Sequence, residues 1–177
     1  MNKRLIPSAV AVLAGVILTA PHLVPSSLAG GSAVTGRASV VDGDTIDLHG
    51  ERIRLDGIDA PESWQRCEDS SGKPYRCGKA AAEALDRFLA ASRPTTCVIT
   101  DTDRYGRFVA RCQRADGKSV NAWLVRNGWA LDWAKYSGGD FAADEKAAKT
   151  EKRGIWQGRF QTPCEARAAR AKREPRC

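Results

Sequence analysis

From Ala38 onward, apolar and polar positions alternate in short runs broken by turn residues. Residues 39–41, 45–48 and 52–55 each read as a strand, with His49-Gly50 as the turn between the last two. Three consecutive antiparallel strands therefore open the domain. Pro61 ends that run, and residues 63–73 have the polar, glycine-containing composition of a long loop. The period then changes. Leu85, Phe88 and Leu89 fall on one face of a helix predicted over residues 78–91, where Ala80, Ala81, Ala82 and Ala84 favour the helix intrinsically. Residues 96–101 and 108–113 flank a turn at residues 103–106 and predict a hairpin. A short helix over residues 121–127 is closed by Gly128. Asp140 is placed to cap a last helix that runs to Arg153 and stops at Gly154, with Glu145 and Lys149 paired four residues apart. Five short strands in antiparallel runs plus three helices predict an α+β fold, a five-stranded OB-fold β-barrel with helices packed on it.

The two ends depart from this pattern. Lys3 and Arg4 precede an apolar run over residues 9–20, followed by Pro21, Pro25 and Ser27-Leu28-Ala29. That order predicts a cleavable signal peptide over residues 1–29, cut after Ala29, with Ala33 as a second possible site. The competing reading is a membrane anchor, but the run is shorter than the roughly 20 apolar residues that span a bilayer. Residues 30–37 read as a small-residue linker, residues 38–158 as one domain, and residues 159–177 as a basic Ala/Arg-rich tail. The expectation is a secreted or periplasmic monomer with no membrane span once the signal is removed.

Cysteine usage agrees with export, because all six cysteines follow the signal segment and their number is even. Zinc is the competing use. No Cys-x-x-Cys pair exists, and the two histidines are His22, inside the signal segment, and His49, in a turn, so a zinc site is not expected. Cys97 and Cys112 lie equally far from the centre of the 103–106 turn and should face one another across the hairpin. Cys67 with Cys77 is the next pair, which leaves Cys164 with Cys177 by elimination.

The net charge of +7 invites a nucleic-acid reading, but its distribution weakens that inference. Residues 30–158 carry 20 basic and 19 acidic residues, whereas residues 159–177 carry six basic and two acidic. A nucleic-acid partner must therefore be argued from local placement of charge in the main domain. In the tail, Arg167, Arg170, Lys172, Arg173 and Arg176 could hold a polyanion without entering the chemistry, or form a solvated segment stapled by its disulfide.

Local placement is informative in three segments: Asp-Gly-Asp-Thr at 42–45, Arg-Leu-Asp-Gly-Ile-Asp-Ala-Pro-Glu at 54–62, and Asp-Arg-Tyr-Gly-Arg at 103–107. Asp44 and Asp59 offer carboxylate oxygens to a hard divalent cation, and a backbone carbonyl beside them adds a third donor. Arg54 and Arg107 offer planar forks that match two phosphate oxygens at once. Glu62 remains as a base for water. Each residue alone has an ordinary explanation as a turn former, strand arginine or hairpin tip. Together they read as a site for cutting a phosphodiester, because Arg54, Asp59 and Glu62 sit within nine residues at one strand end, next to the hairpin that carries Asp44.

These segments resemble, in order, the diagnostic motifs of the staphylococcal nuclease (thermonuclease) family, and the stretches 119–128 and 153–156 resemble its later helices. The resemblance covers about residues 38–158 and implies the same five-stranded barrel with three helices. It implies a calcium-dependent, sugar-nonspecific nuclease, using one ion, that hydrolyses DNA and RNA to 3'-phosphate and 5'-hydroxyl ends. By the same resemblance Asp44, Asp59 and the carbonyl of Ala60 are calcium ligands, and Arg54, Glu62 and Arg107 are catalytic. Tyr105 and Tyr136 line the nucleotide pocket. Ala60 replaces a threonine of the best-known member, and Ala134 stands where a second pocket tyrosine is expected, with Trp133 as a neighbouring stacking surface. The rival readings are a noncatalytic OB-fold module that binds nucleic acid or another polyanion, and an exported structural domain in which the same charges form ion pairs.

Overall fold

The computed structural model describes residues 32–177. The signal peptide expected over residues 1–29 lies outside the described residues. Alternating residues build β1 (Ala33–Gly36), β2 (Ser39–Asp42), β3 (Thr45–Leu48) and β4 (Glu51–Leu55), followed by the two-residue β5 (Ile58–Asp59). A small hairpin forms from β6 (Cys67–Glu68), inside the stretch expected as a loop, and β7 (Pro74–Tyr75), just after it. The Cys67–Cys77 disulfide ties it to the start of α1 (Cys77–Ala90). The long hairpin is β8 (Thr95–Thr102) with β9 (Phe108–Arg114), where Cys97 lies opposite Cys112 and is bridged to it. Then come α2 (Val120–Arg126), β10 (Leu131–Asp132), α3 (Ala134–Ser137), α4 (Ala142–Thr150), a 3-10 turn (Gly154–Gln157) and α5 (Pro163–Arg170).

The main sheet runs β1-β8-β9-β4-β3-β2, antiparallel except for the β4–β9 pair, where Arg54 lies level with Val109. A parallel pair requires a long crossover, which the chain makes through α1 and β8. The result is an open, barrel-like α+β fold. Its interior is filled by Ile46, Leu48, Ile53 and Leu55 from the strands and by Leu85, Val120 and Leu124 from the helices, each at most 1% exposed. Phe88 of α1 stacks on Trp123 of α2 with centroids 4.0 Å apart. Asn121, wholly buried on α2, donates to the carbonyl of Asp56 at 2.8 Å and accepts from the Cys112 amide at 3.0 Å. Its satisfied amide joins the helix to both β9 and the turn after β4, which is the turn that aims Asp59.

Four differences from the sequence reading have local causes. The linker expected at residues 30–37 contains β1, which pairs with β8 from Ala33–Val98 to Gly36–Thr95 and adds a sixth strand to the sheet. Four residues of Ala-Val-Thr-Gly are too short to show a period, but they satisfy the edge of a long hairpin strand. Asp140 does not cap α4: the N-cap is Phe141, and Asp140 pairs instead with Arg111 at 3.3 Å, because α3 and the left-handed Gly138 intervene. Among the described residues the α-helices number five, the short α3 and α5 being additional to the three expected. Finally, the expected tail at residues 159–177 is folded back onto the domain. Arg159 donates to Glu68 at 2.8 Å, the Gln161 carbonyl accepts from buried Gln65 at 2.7 Å, and α5 buries Pro163, Ala166 and Ala168. The third disulfide, Cys164–Cys177, closes the end of this segment.

Candidate active site

The site begins at the β2–β3 turn. Gly43 is required there because an added Cβ would lie 2.9 Å from the Ala60 side chain. That close approach seats Asp44, 6% exposed, beside the 58–62 segment. Asp44 accepts from Thr45 Oγ1 at 3.0 Å and from the Ala60 amide at 3.4 Å. In the β3–β4 register Thr45 is opposite Arg54, so the guanidinium reaches back over the turn. Arg54 Nη1 meets Asp44 Oδ2 at 2.9 Å, and its Nη2 lies 3.5 Å from Asp59 Oδ1. One planar fork thus spans both carboxylates.

Asp59, 4% exposed, is held by β5, which pairs with β10 through Leu131. Burial pushes its carboxyl above the usual range, opposed by the bonds from Arg167 and reinforced by the nearby charge of Asp44. Asp42 is likewise raised, first by burial, with Asp44 and Glu62 adding repulsion. Glu62 sits on a loop closed by two local bonds, the Gln65 amide to the Glu62 carbonyl at 2.7 Å and the Glu62 amide to Gln65 Oε1 at 3.3 Å. The start of α1 presses on the same loop at Gly78.

A Cβ on Gly78 would fall 1.7 Å from the Glu62 carbonyl oxygen, a backbone atom that cannot rotate away. Gly78→Ala is therefore expected to shift the Glu62 loop and destabilise the fold by about 1–3 kcal/mol, the usual cost of overpacking. Chemical denaturation of the variant checks this, and an unchanged midpoint would show that the helix yields without strain.

Arg107 comes from the hairpin tip. Asp103 accepts from the Arg107 and Tyr105 amides at 3.0 and 2.9 Å and binds the Arg107 guanidinium through Nε and Nη2, both at 2.7 Å. Burial of Asp103 is outweighed by these bonds, and its carboxyl is held below the usual range. Tyr105 and Tyr136 are exposed, with the Tyr136 ring edge-on to Trp133 at 4.6 Å. Asp44, Arg54, Glu62, Arg107, Tyr105 and Tyr136 line one cleft of about 640 Å³, which Asp42, Ala60 and Trp133 also border. Asp59 lines a smaller hollow of about 260 Å³ beside Trp133.

The larger cleft is also lined by a side chain that sequence reasoning left outside the site. Arg167 of α5 donates to both oxygens of Asp59, at 2.8 and 2.9 Å, and to Glu62 Oε1 at 2.9 Å. Burial opposes its charge, yet the bonds to Asp59 and Glu62 prevail and raise its pKa further above the usual arginine value. A sequence signal for the helix existed: Thr162-Pro163-Cys164-Glu165 is a capping box with proline at the first helical position.

As a metal site, the donors are of the right chemical type. Asp44 and Asp59 converge on one guanidinium and present hard oxygens, and a cation, that of Arg167, already rests on Asp59. Among the described residues no three acidic, histidine or cysteine side chains gather as a metal cluster, so an ion here would draw on two carboxylates and on backbone or solvent oxygens.

The chain resembles known proteins over most of this domain. Residues 52–158 match the family model described as staphylococcal nuclease homologue, a stretch that contains Arg54, Asp59, Glu62 and Arg107. Succinoglycan biosynthesis protein ExoI of Rhizobium meliloti (strain 1021) is 51% identical over 144 residues, 81% of this chain and 75% of that protein. An uncharacterized endonuclease of Escherichia coli O157:H7 is 31% identical over 129 residues, covering 70% of this chain and 77% of the relative. Endonuclease YhcR of Bacillus subtilis (strain 168) is 34% identical over 131 residues, 66% of this chain but only 11% of that much longer protein. With the family match spanning more than half of the chain and relatives above 30% identity covering more than two thirds of it, the chain belongs to the staphylococcal nuclease homologue family.

Proposed function

We propose that the protein is an exported, calcium-dependent endonuclease that hydrolyses DNA and RNA, without sugar discrimination, to 3'-phosphate and 5'-hydroxyl ends. The observation that carries this reading is the Arg54 fork spanning Asp44 and Asp59 in a cleft that Glu62 and Arg107 also line. Asp44 and Asp59 would hold the ion, with Ala60 adding a backbone oxygen. Bound there, calcium would supply Lewis-acid and template chemistry to the phosphodiester. Arg54 and Arg107 grip nonbridging oxygens and stabilise the charge that grows on them as the phosphorus becomes pentacoordinate. Glu62 orients the attacking water and accepts its proton, after which the bond from phosphorus to the 5'-oxygen breaks and that oxygen takes up a proton from solvent to leave as the 5'-hydroxyl. Tyr105, Tyr136 and Trp133 offer faces for a base, a contact that tolerates any sequence. Three disulfides among the described residues support an oxidising compartment, secreted or periplasmic. No described helix is long and apolar enough to cross a membrane.

A second reading, a noncatalytic polyanion-binding module, draws on the relative named for succinoglycan biosynthesis and on the tie between Arg167 and Glu62. End-group analysis separates the two. Incubation of labelled DNA and RNA with calcium should give fragments from both that carry 3'-phosphates. Binding without fragments would favour the module, and 5'-phosphate ends would contradict the proposed direction of cleavage.

A further inference from the structure

The acidic group expected to hold a divalent cation already carries a cation from the chain itself. Arg167 satisfies both oxygens of Asp59 and one of Glu62 at 2.8–2.9 Å, which uses the donor atoms a metal would need and ties up the group that would orient water. This placement is built rather than incidental. The helix that carries Arg167 starts at a full capping box on Thr162 and Glu165. It is pinned through Gln65 to Gln161 at 2.7 Å, and Arg170 lies over the Trp64 ring at 4.5 Å. Gln65 and Trp64 belong to the loop that holds Glu62, so α5 docks on the very segment whose carboxylate it caps. Yet α5 lies beyond residue 158, where the family match ends.

A guanidinium bonded to both oxygens of Asp59 and a divalent cation coordinated by that carboxylate compete for the same lone pairs and the same negative charge. We propose, building on the nuclease reading above, that Arg167 is a chain-borne competitor for the metal site, so that the C-terminal segment sets the calcium affinity. In the metal-free protein Arg167 neutralises Asp59 and covers Glu62. Calcium binds as the guanidinium gives up the Asp59 oxygens, and in giving them up it also risks the contact it already makes over the Trp133 ring, 5.8 Å from its Cζ to the centroid. The cost of parting the pair is then subtracted from the binding of the ion, as for any ligand that must displace a resident group.

Isothermal titration of calcium into the wild-type chain, Arg167→Gln and Arg167→Lys tests this without reference to turnover. Loss of charge-assisted bonds of this kind should tighten calcium binding about tenfold or more in Arg167→Gln. Arg167→Lys, which cannot grip both oxygens of Asp59 at once, should fall between the two and carries the test if the glutamine variant fails to fold. Thermal unfolding gives an independent readout: in chelator Arg167→Gln should melt below wild type, because Asp59 loses its partner, and calcium should raise its Tm by more than it raises that of wild type. Equal or weaker calcium affinity in the folded variants would overturn the competition while leaving the nuclease reading intact. Absence of calcium binding from all three proteins would overturn the metal site and the competition together.

Discussion

Glu62→Gln is expected to reduce turnover by about 10²–10⁴-fold, the range for removal of a positioned general base. The amide keeps the shape of the carboxylate and the backbone bonds to Gln65, so the loop and the cleft should persist. What is lost is the ability to accept a proton from water. Calcium binding should survive, and by weakening one of the three Arg167 bonds the substitution should if anything favour it. Single-turnover cleavage of a labelled oligonucleotide, paired with a calcium titration, separates the two effects. A rate close to wild type would remove Glu62 from the chemistry.

Arg54→Lys should be nearly as damaging, for a different reason. Arg54 holds two buried carboxylates with one planar fork and is also placed to meet a phosphate, tasks that a single ammonium cannot share. The expected loss in kcat/KM is about 10²–10³-fold, by analogy with removal of one oxyanion donor. In chelator the variant should also lose about 1–3 kcal/mol of stability, because Asp44 and Asp59 keep their burial but lose part of their pairing. Denaturant titration and cleavage kinetics, taken together, distinguish the roles. A variant that is destabilised but cleaves at the wild-type rate would confine Arg54 to structure.

The sequence was most legible where neighbouring residues do the work. Asp44, Arg54, Asp59 and Glu62 fall within 19 consecutive positions of two strand ends and their turns, so the residues that meet in space are nearly adjacent in the chain. Cys97 and Cys112 were readable for the same reason, as residues of one hairpin, although the register that sets them opposite includes a bulge between Ile99 and Asp101. Arg167 was not, because it reaches Glu62 from 105 residues away and sits in an Ala/Arg-rich helix whose pattern is that of a solvated charged face. Its half-buried position comes from docking, which no local period encodes. Asn121 and Gln65 were missed similarly: their importance lies in buried hydrogen bonds to distant backbone, and a polar residue in a helix or loop carries no sign of that. The β1 strand is the opposite case, a segment with too little character of its own that is ordered by the edge it completes.

Calcium dependence of plasmid cleavage tests the central claim most directly. The purified chain, incubated with supercoiled plasmid in calcium, should convert it to nicked, linear and then smaller products. The same protein in excess chelator should leave the plasmid intact, and readdition of calcium should restore cleavage. Plasmid that remains supercoiled in calcium, or that is cut equally well in chelator, would contradict a calcium-dependent nuclease in this cleft.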